Sequence, residues 1–178
     1  YNDEAYEAVL IVDATNRVPN SLLKFLGLID ENTEEGTVIP FDQIIGKEFK
    51  IFGNNVYYND PVSENDKFTK KSDAELLTLY NEENAEIITV KITGILKSNS
   101  VLMTTSEQIA YSTAVKNKVL EMNITSRVVE AQKLSEDSVI QGVNFYDTPM
   151  SKYTKDDLLD ELGGMSIPTS ILIYPDNF

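Results

Sequence analysis

The residue types that most enzymes use for acid–base and nucleophilic chemistry are scarce in this sequence. Its 178 residues include no His and no Cys, which removes the commonest general base, the thiol nucleophile and the commonest zinc ligands. Residues 21–24 read S-L-L-K, the pattern of acyl-transferring serine enzymes. The companion K-T-G pattern is missing, because residues 91–94 read K-I-T-G with one residue too many. The apolar positions of a helix explain residues 21–24 better.

Carboxylates supply the remaining candidates for chemistry, and the loop from Asp30 to Gly36 begins as a calcium-binding loop does. Asp30, Asn32 and Glu34 occupy alternate positions, but residue 35 is a Glu where such a loop needs Gly. Phe41 stands where the closing bidentate Glu belongs. We therefore interpret this segment as a solvated loop.

Two short segments resemble the paired Asp-Thr-Gly loops of aspartic proteases. They begin at Asp13 and Asp147, and both lack the Gly. A glycosidase pair is recognised only by its separation in space, which the sequence does not show. Asn123 lies in an N-x-T glycosylation pattern, and we interpret it as structural. We expect a domain that is not an enzyme, with no catalytic residue, no cofactor and no metal.

The charge balance bears on the class of partner. The chain carries 15 basic and 29 acidic residues, a net charge of -14, which repels nucleic acid and anionic lipid headgroups at long range. Hydrophobic residues make up 42% and charged residues 25%, as in ordinary globular domains. We expect no nucleic-acid partner, whereas a cationic peptide ligand stays open.

One pair of aromatic residues is a candidate contact for a protein partner. Tyr57 and Tyr58 precede Asn59, Asp60 and Pro61, and Tyr is favoured at recognition surfaces because it offers a large area and a hydroxyl group. Alternate faces of an edge strand explain the pair without any partner, and we prefer this interpretation.

Apolar patterning predicts an α+β domain with a mixed β-sheet, helices packed mainly on one side and room for a second small lobe. Residues 7–13 form a continuous apolar run, typical of a strand buried on both faces in the middle of a sheet. Gly94 indicates a bulge in the strand predicted at residues 85–97. The core sheet is predicted to contain Val9 to Asp13, Lys47 to Phe52, Ile87 to Leu96 and Ile171 to Tyr174.

Helix signals are clearest in the second half of the chain. Helices at residues 112–121 and 125–134 should pack on the sheet. Thr154 and Asp157 have the spacing of a capping box, and Gly163 follows as the stop. A short helix is predicted to be capped by Asn20 or Ser21. Further predictions are a helical turn at residues 41–46, a hairpin or irregular loop at residues 57–72 and a helix at residues 73–80.

No apolar run approaches the roughly 18 to 20 residues that span a bilayer. The sequence opens on Tyr1 without a signal-like segment. We therefore expect any membrane anchor to lie outside residues 1–178.

Several segments of the chain are similar in amino-acid sequence to the corresponding segments of a known protein family. They include residues 9–13 with Asn16, residues 26–28, residues 45–49 followed after an insertion by residues 90–96, and residues 109–112, 129–132 and 170–175. Together they resemble the extracytoplasmic domain of ABC-transporter permeases of the MacB and FtsX type, in the large-ectodomain branch of low-GC bacteria. Ala110 departs from the Gly that is common there, and residues 98–105 look shortened.

The resemblance implies a single extracytoplasmic domain over residues 1–178, of the MacB-like periplasmic core type, with a variable insertion at residues 54–84. It implies four transmembrane helices outside this chain, a cytoplasmic ATPase partner, a location at the cell membrane with this domain extracellular, and room for a homodimer of the full-length protein. The implied function couples ATP hydrolysis to movement or binding outside the membrane, in export or mechanotransmission, with a peptide, lipoprotein or cell-wall protein as partner. The alternative is a free-standing or lipid-anchored surface binding module or adhesin.

Overall fold

The fold contains eight strands and seven helices within the residues that the computed structural model describes, which are 2–34, 36–99 and 108–165. The strands are β1 (Glu7–Val12), β2 (Glu48–Phe52), β3 (Tyr58–Asn59), β4 (Thr69–Lys70), β5 (Ile87–Lys97), β6 (Ile109–Tyr111), β7 (Tyr146–Asp147) and β8 (Lys152–Tyr153). The helices are α1 (Asn20–Phe25), α2 (Phe41–Ile44), α3 (Asn54–Tyr57), α4 (Asp73–Leu79), α5 (Thr113–Asn123), α6 (Arg127–Leu134) and α7 (Lys155–Glu161).

Four strands form one mixed sheet in the order β2-β5-β1-β6. β1 runs parallel to β5, whereas β2 and β6 pair antiparallel with their neighbours. The predicted mixed α and β architecture is confirmed, and so is the inner position of β1. β6 also belongs to this sheet, although it was not among the predicted core strands. The strand predicted at Ile171 to Tyr174 lies outside the described residues.

A bulge in β5 keeps the apolar side chains of this long strand on one face. Ala8 pairs with Ile92 and Val9 pairs with Gly94, so that one residue of β5 is passed over. The shift lets both Ile92 and Ile95 face the same core although they are an odd number of residues apart. A Cβ atom on Gly94 would lie 3.2 Å from Val9 Cγ1, which explains why Gly suits this position.

The sheet core is a cluster on one face of the four-stranded sheet. Helix residues from α2 and α5, together with Leu26 at the end of α1, pack against alternate residues of β1 and β5. This arrangement agrees with the predicted helix layer on one side of the sheet. The buried members of the sheet core are Ala8, Leu10, Val12, Leu26, Ile44, Phe49, Ile88, Val90, Ile92, Val115 and Met122.

A second core lies apart from the sheet core and corresponds to a second lobe. The helix at residues 125–134 was predicted to pack on the sheet, and this prediction is wrong, because Val128 and Val129 of α6 belong to the second core. The segment at residues 54–84, predicted as an insertion, contributes Tyr58 and Phe68 to the same cluster. The buried members of the second core are Tyr58, Phe68, Val128, Val129, Ile140, Leu158, Leu159 and Leu162.

The predicted capping box of α7 is confirmed. The Thr154 side chain accepts from the Asp157 backbone N–H, and the Asp157 carboxylate accepts from the Thr154 backbone N–H at 2.7 Å. Gly163 then adopts a φ of 69°, a left-handed conformation that ends the helix. For α1 the cap prediction is wrong, since the helix begins after Pro19 without a side-chain cap.

Across the described ranges, no helix combines the length and the apolar character needed to cross a membrane.

Candidate functional site

A buried polar junction connects the two cores. Asn54, the first residue of α3, is 8% exposed. Its backbone N–H donates to Asn123 Oδ1 at 2.9 Å, and its Nδ2 donates to Ser126 Oγ at 3.0 Å and to the Leu162 carbonyl at 2.8 Å. Asn123 ends α5, which packs into the sheet core, and Leu162 belongs to the second core. Asn54 therefore contacts the end of α5 through its backbone N–H and the second core through its side chain.

The neighbouring residues extend this junction toward the surface. Asn55 donates from Nδ2 to Glu86 Oε1 at 2.9 Å and accepts at Oδ1 from the Arg127 backbone N–H at 2.9 Å. The Arg127 guanidinium also forms an ion pair with Asp60 at 2.9 Å. Glu86 comes just before β5, so these contacts connect the sheet to the start of α6. We call Asn54, Asn55, Asn123 and Ser126 the interlobe junction.

The two candidate contact residues lie directly beyond the interlobe junction. Tyr57 ends α3, and Tyr58 begins β3, with the two ring centroids 5.1 Å apart and the planes at 86°. Burial within the second core raises the pKa of Tyr58 to about 12. Tyr58 therefore acts in packing, and only Tyr57 keeps partial exposure. The predicted partner contact at this pair stays a prediction.

Carboxylates from the sequence motifs serve as local turn and cap acceptors. Asp13 Oδ1 accepts from the backbone N–H groups of Arg17 and Thr15, and these hydrogen bonds lower the pKa of its carboxyl. Asp30 accepts from the Thr33 hydroxyl and the Asn32 N–H, which lowers its pKa as well. A general acid needs the opposite shift at neutral pH. The carboxyls of Asp13 and Asp30 are therefore ionised at neutral pH, and the hydrogen bonds that they accept stabilise their loops.

The other motif residues also have structural partners. Asp147 forms an ion pair with Lys152 across the β7–β8 hairpin at 3.0 Å, whereas Asp13 is held at the end of β1. The structural interpretation of Asn123 is confirmed, since its side chain accepts within the interlobe junction. Among residues 2–34, 36–99 and 108–165, no group of three or more acidic side chains could hold a metal ion.

A surface groove of about 380 Å³ lies between residues 4–6 and one face of α5. On the α5 side it is lined by Ala114, Asn117, Lys118 and Glu121, and Lys118 and Glu121 form an ion pair with each other at 3.0 Å. Tyr6 at its rim is 41% exposed. The Lys118–Glu121 ion pair occupies two of the charged side chains that line the groove, so the geometry assigns it no ligand.

No protein-family model, curated protein or solved structure matches this chain.

Sequence reasoning missed Asn54, Asn55 and Ser126 of the interlobe junction. Asn and Gly commonly follow strands, so residues 53–55, which come directly after the predicted strand Lys47 to Phe52, gave no signal of a tertiary role. Gln132 was missed as well. It is 0% exposed, its Oε1 accepts from the Val139 N–H at 3.0 Å, and its Nε2 donates to the Asp137 carbonyl at 3.1 Å. A buried Asn or Gln gives no periodic signal, so only its tertiary partners show its role.

The pKa directions predict how stability depends on pH. The Thr154 hydroxyl and N–H lower the pKa of Asp157, so its contribution to stability is present at neutral pH and is lost as the pH falls below about 4. We expect Asp157→Asn to be less stable than the unmodified chain at pH 6 and to approach it at pH 3. Urea unfolding followed by circular dichroism at both pH values measures the difference. Asp160→Asn, in the last turn of the same helix, is the control. A stability difference for Asp157→Asn that does not change with pH would contradict the prediction.

Proposed function

We propose that this chain is the extracytoplasmic domain of an ABC-transporter permease and that it couples cytoplasmic ATP hydrolysis to movement or binding outside the membrane. The observation that carries the proposal is the convergence of distant segments. The segments at residues 9–13, 45–49, 90–96 and 109–112, on which the family resemblance depends, lie in or directly beside β1, β2, β5 and β6. Their similarity therefore concerns one sheet.

The interlobe junction supports a role in transmitting movement. A domain that relays motion needs its parts to be displaced together, and direct hydrogen bonds with restricted geometry serve this purpose better than sliding apolar contacts. Asn54 contacts the end of α5, the N-cap of α6 and the end of α7 through one hydrogen bond each, of 2.8–3.0 Å. Movement of the sheet core would thereby reach the second core.

The chemistry of the carboxylates also fits a domain that binds and moves. The motif carboxylates Asp13, Asp30 and Asp157 all accept local hydrogen bonds that lower their pKa. Under this proposal the partner outside the membrane is a peptide, a lipoprotein or a cell-wall protein, and the ATPase acts through the membrane-embedded part of the full-length protein.

Labelling of the full-length gene product with two dyes tests the proposal. Residues 1–178 contain no Cys, so once any Cys elsewhere in the full-length product is replaced by Ser, Val38→Cys and Met150→Cys, at positions 84% and 97% exposed, give selective attachment sites. Val38 lies in the loop before α2, and Met150 lies at the tip of the β7–β8 hairpin. We expect the full-length protein to require detergent for extraction from the membrane and to purify together with an ATPase. We also expect the efficiency of energy transfer between the two dyes to change when ATP is added.

The matched control is the same labelled pair in a complex whose ATPase carries an inactivating substitution, which should show no change driven by ATP hydrolysis. A full-length product that leaves the membrane fraction without detergent and purifies without an ATPase would overturn the proposal. A single lipid anchor on that product would support a surface binding module instead.

A further inference from the structure

β2 is an edge strand whose outer side is unpaired within the described residues. The Ile92 N–H donates to the Lys47 carbonyl at 2.8 Å, and the Gly53 N–H donates to the Glu86 carbonyl at 2.7 Å. Between these two bonds the register pairs Phe49 with Val90. Because hydrogen-bonding groups alternate along an antiparallel strand, the N–H and C=O groups of residues 49 and 51 point toward β5, as do the Lys47 C=O and the Gly53 N–H. Those of residues 48, 50 and 52 point away from it, toward the edge.

The charges along the β2 edge of one copy are complementary to those along the β2 edge of a second, antiparallel copy. Glu48 and Lys50 are the charged residues of β2 whose backbone groups face outward. A two-fold axis through Phe49 would pair two β2 strands antiparallel, with each Glu48 opposite Lys50 of the second copy. The register centred on Lys50 would instead place two Lys residues opposite each other, which is unfavourable. Of these two registers, the charge pattern favours the one centred on Phe49.

Large apolar side chains are exposed beside the same edge. Phe25 is 58% exposed, and its ring centroid lies 5.5 Å from that of Phe49. Phe41 and Ile45, in the turn that leads into β2, are 49% and 48% exposed. Exposed apolar residues that flank an unpaired strand are typical of a surface that associates with another protein.

We infer that β2 pairs edge to edge with β2 of a second copy of this chain, in the register centred on Phe49. The described strands of the two copies would then form one continuous sheet in the order β6-β1-β5-β2-β2-β5-β1-β6. The Lys50 ammonium lies 5.1 Å from the centre of the exposed Tyr80 ring. This contact at an exposed site is weak enough for Lys50 to turn to the carboxylate of the second copy. The inference concerns residues of this chain alone and does not depend on the proposed permease function.

Sedimentation velocity from about 1 to 200 μM tests the inference. We expect the chain to form dimers as its concentration rises. Lys50→Glu places like charges opposite each other twice, so the dimer dissociation constant should rise about tenfold or more. Lys116→Glu, at an exposed position of α5, makes the same change in net charge and should leave the constant nearly unaltered.

Charge reversal keeps the test informative if one variant folds poorly. The double variant Glu48→Lys/Lys50→Glu restores opposite charges across the axis and should recover the dimer. An equimolar mixture of the Glu48→Lys and Lys50→Glu single variants should form mixed dimers more tightly than either variant pairs with itself. A chain that stays monomeric at 200 μM overturns the inference, and so does a dimer that Lys50→Glu does not weaken. Capture of an extended peptide at β2 by a monomeric chain would assign the edge to a different partner.

Discussion

Replacing Asn54 with Ala is expected to lower the free energy of unfolding by about 2–4 kcal/mol. The Asn54 side chain is the donor to both Ser126 Oγ and the Leu162 carbonyl. Ser126 is 0% exposed, so water cannot readily replace the lost donor there. A buried acceptor left without a partner costs about 1–3 kcal/mol, and two acceptors lose their donor here. Urea unfolding followed by circular dichroism measures the loss.

Hydrogen exchange separates a weakened junction from a general loss of packing. In the unmodified chain we expect amides of α5 and α7 to open with similar free energies, because the interlobe junction links their ends. In Asn54→Ala the amides of α7 should exchange faster by a larger factor than those of α5. Asn65→Ala, at an exposed loop position, is the matched control and should change little. Equal acceleration in both helices would argue against a coupling role for Asn54.

Leu10→Ala should cost about 2–5 kcal/mol of stability, the usual range for emptying a Leu site in a core. Leu10 is 0% exposed in β1, and its neighbours across the sheet are Ile95 on β5 and Ile109 on β6. A β-sheet backbone hydrogen-bonded on both sides cannot collapse easily into the space that the side chain leaves. Since domains of this size are stable by about 5–15 kcal/mol, the loss is a large fraction of the total.

Leu77→Ala is the control for this substitution. Leu77 lies on α4, which has no buried residue, and is 70% exposed, so its truncation should alter stability by no more than about 0.5 kcal/mol. Thermal or urea unfolding of both variants makes the comparison. Equal losses for the two Leu residues would mean that β1 does not lie at the centre of the fold.

The strands and helix ends were predictable because their signals are local. Residues 8–12, within the strand predicted at residues 7–13, are all apolar and leave no side chain for solvent, and β1 lies between two other strands. Thr154 and Asp157 reach each other within one helical turn, so their spacing alone predicts the cap of α7. Gly94 predicted the bulge for the same reason, since a missing side chain affects the strand where it occurs.

Other features depend on residues that are distant in sequence, and only the tertiary structure decided them. The apolar stripe of α6 is the same whether the helix faces the sheet or a separate cluster, and the contacts of Val128 and Val129 place it in the second core. The role of Asn54 in the interlobe junction was not predictable from the sequence, because its partners Ser126 and Leu162 lie 72 and 108 residues away along the chain. The sequence by itself therefore determined the longer strands β1, β2 and β5 and the helices α5, α6 and α7, through side-chain period and local hydrogen bonds. The tertiary structure decided which surfaces these elements share, because that choice depends on partners whose positions no local pattern records.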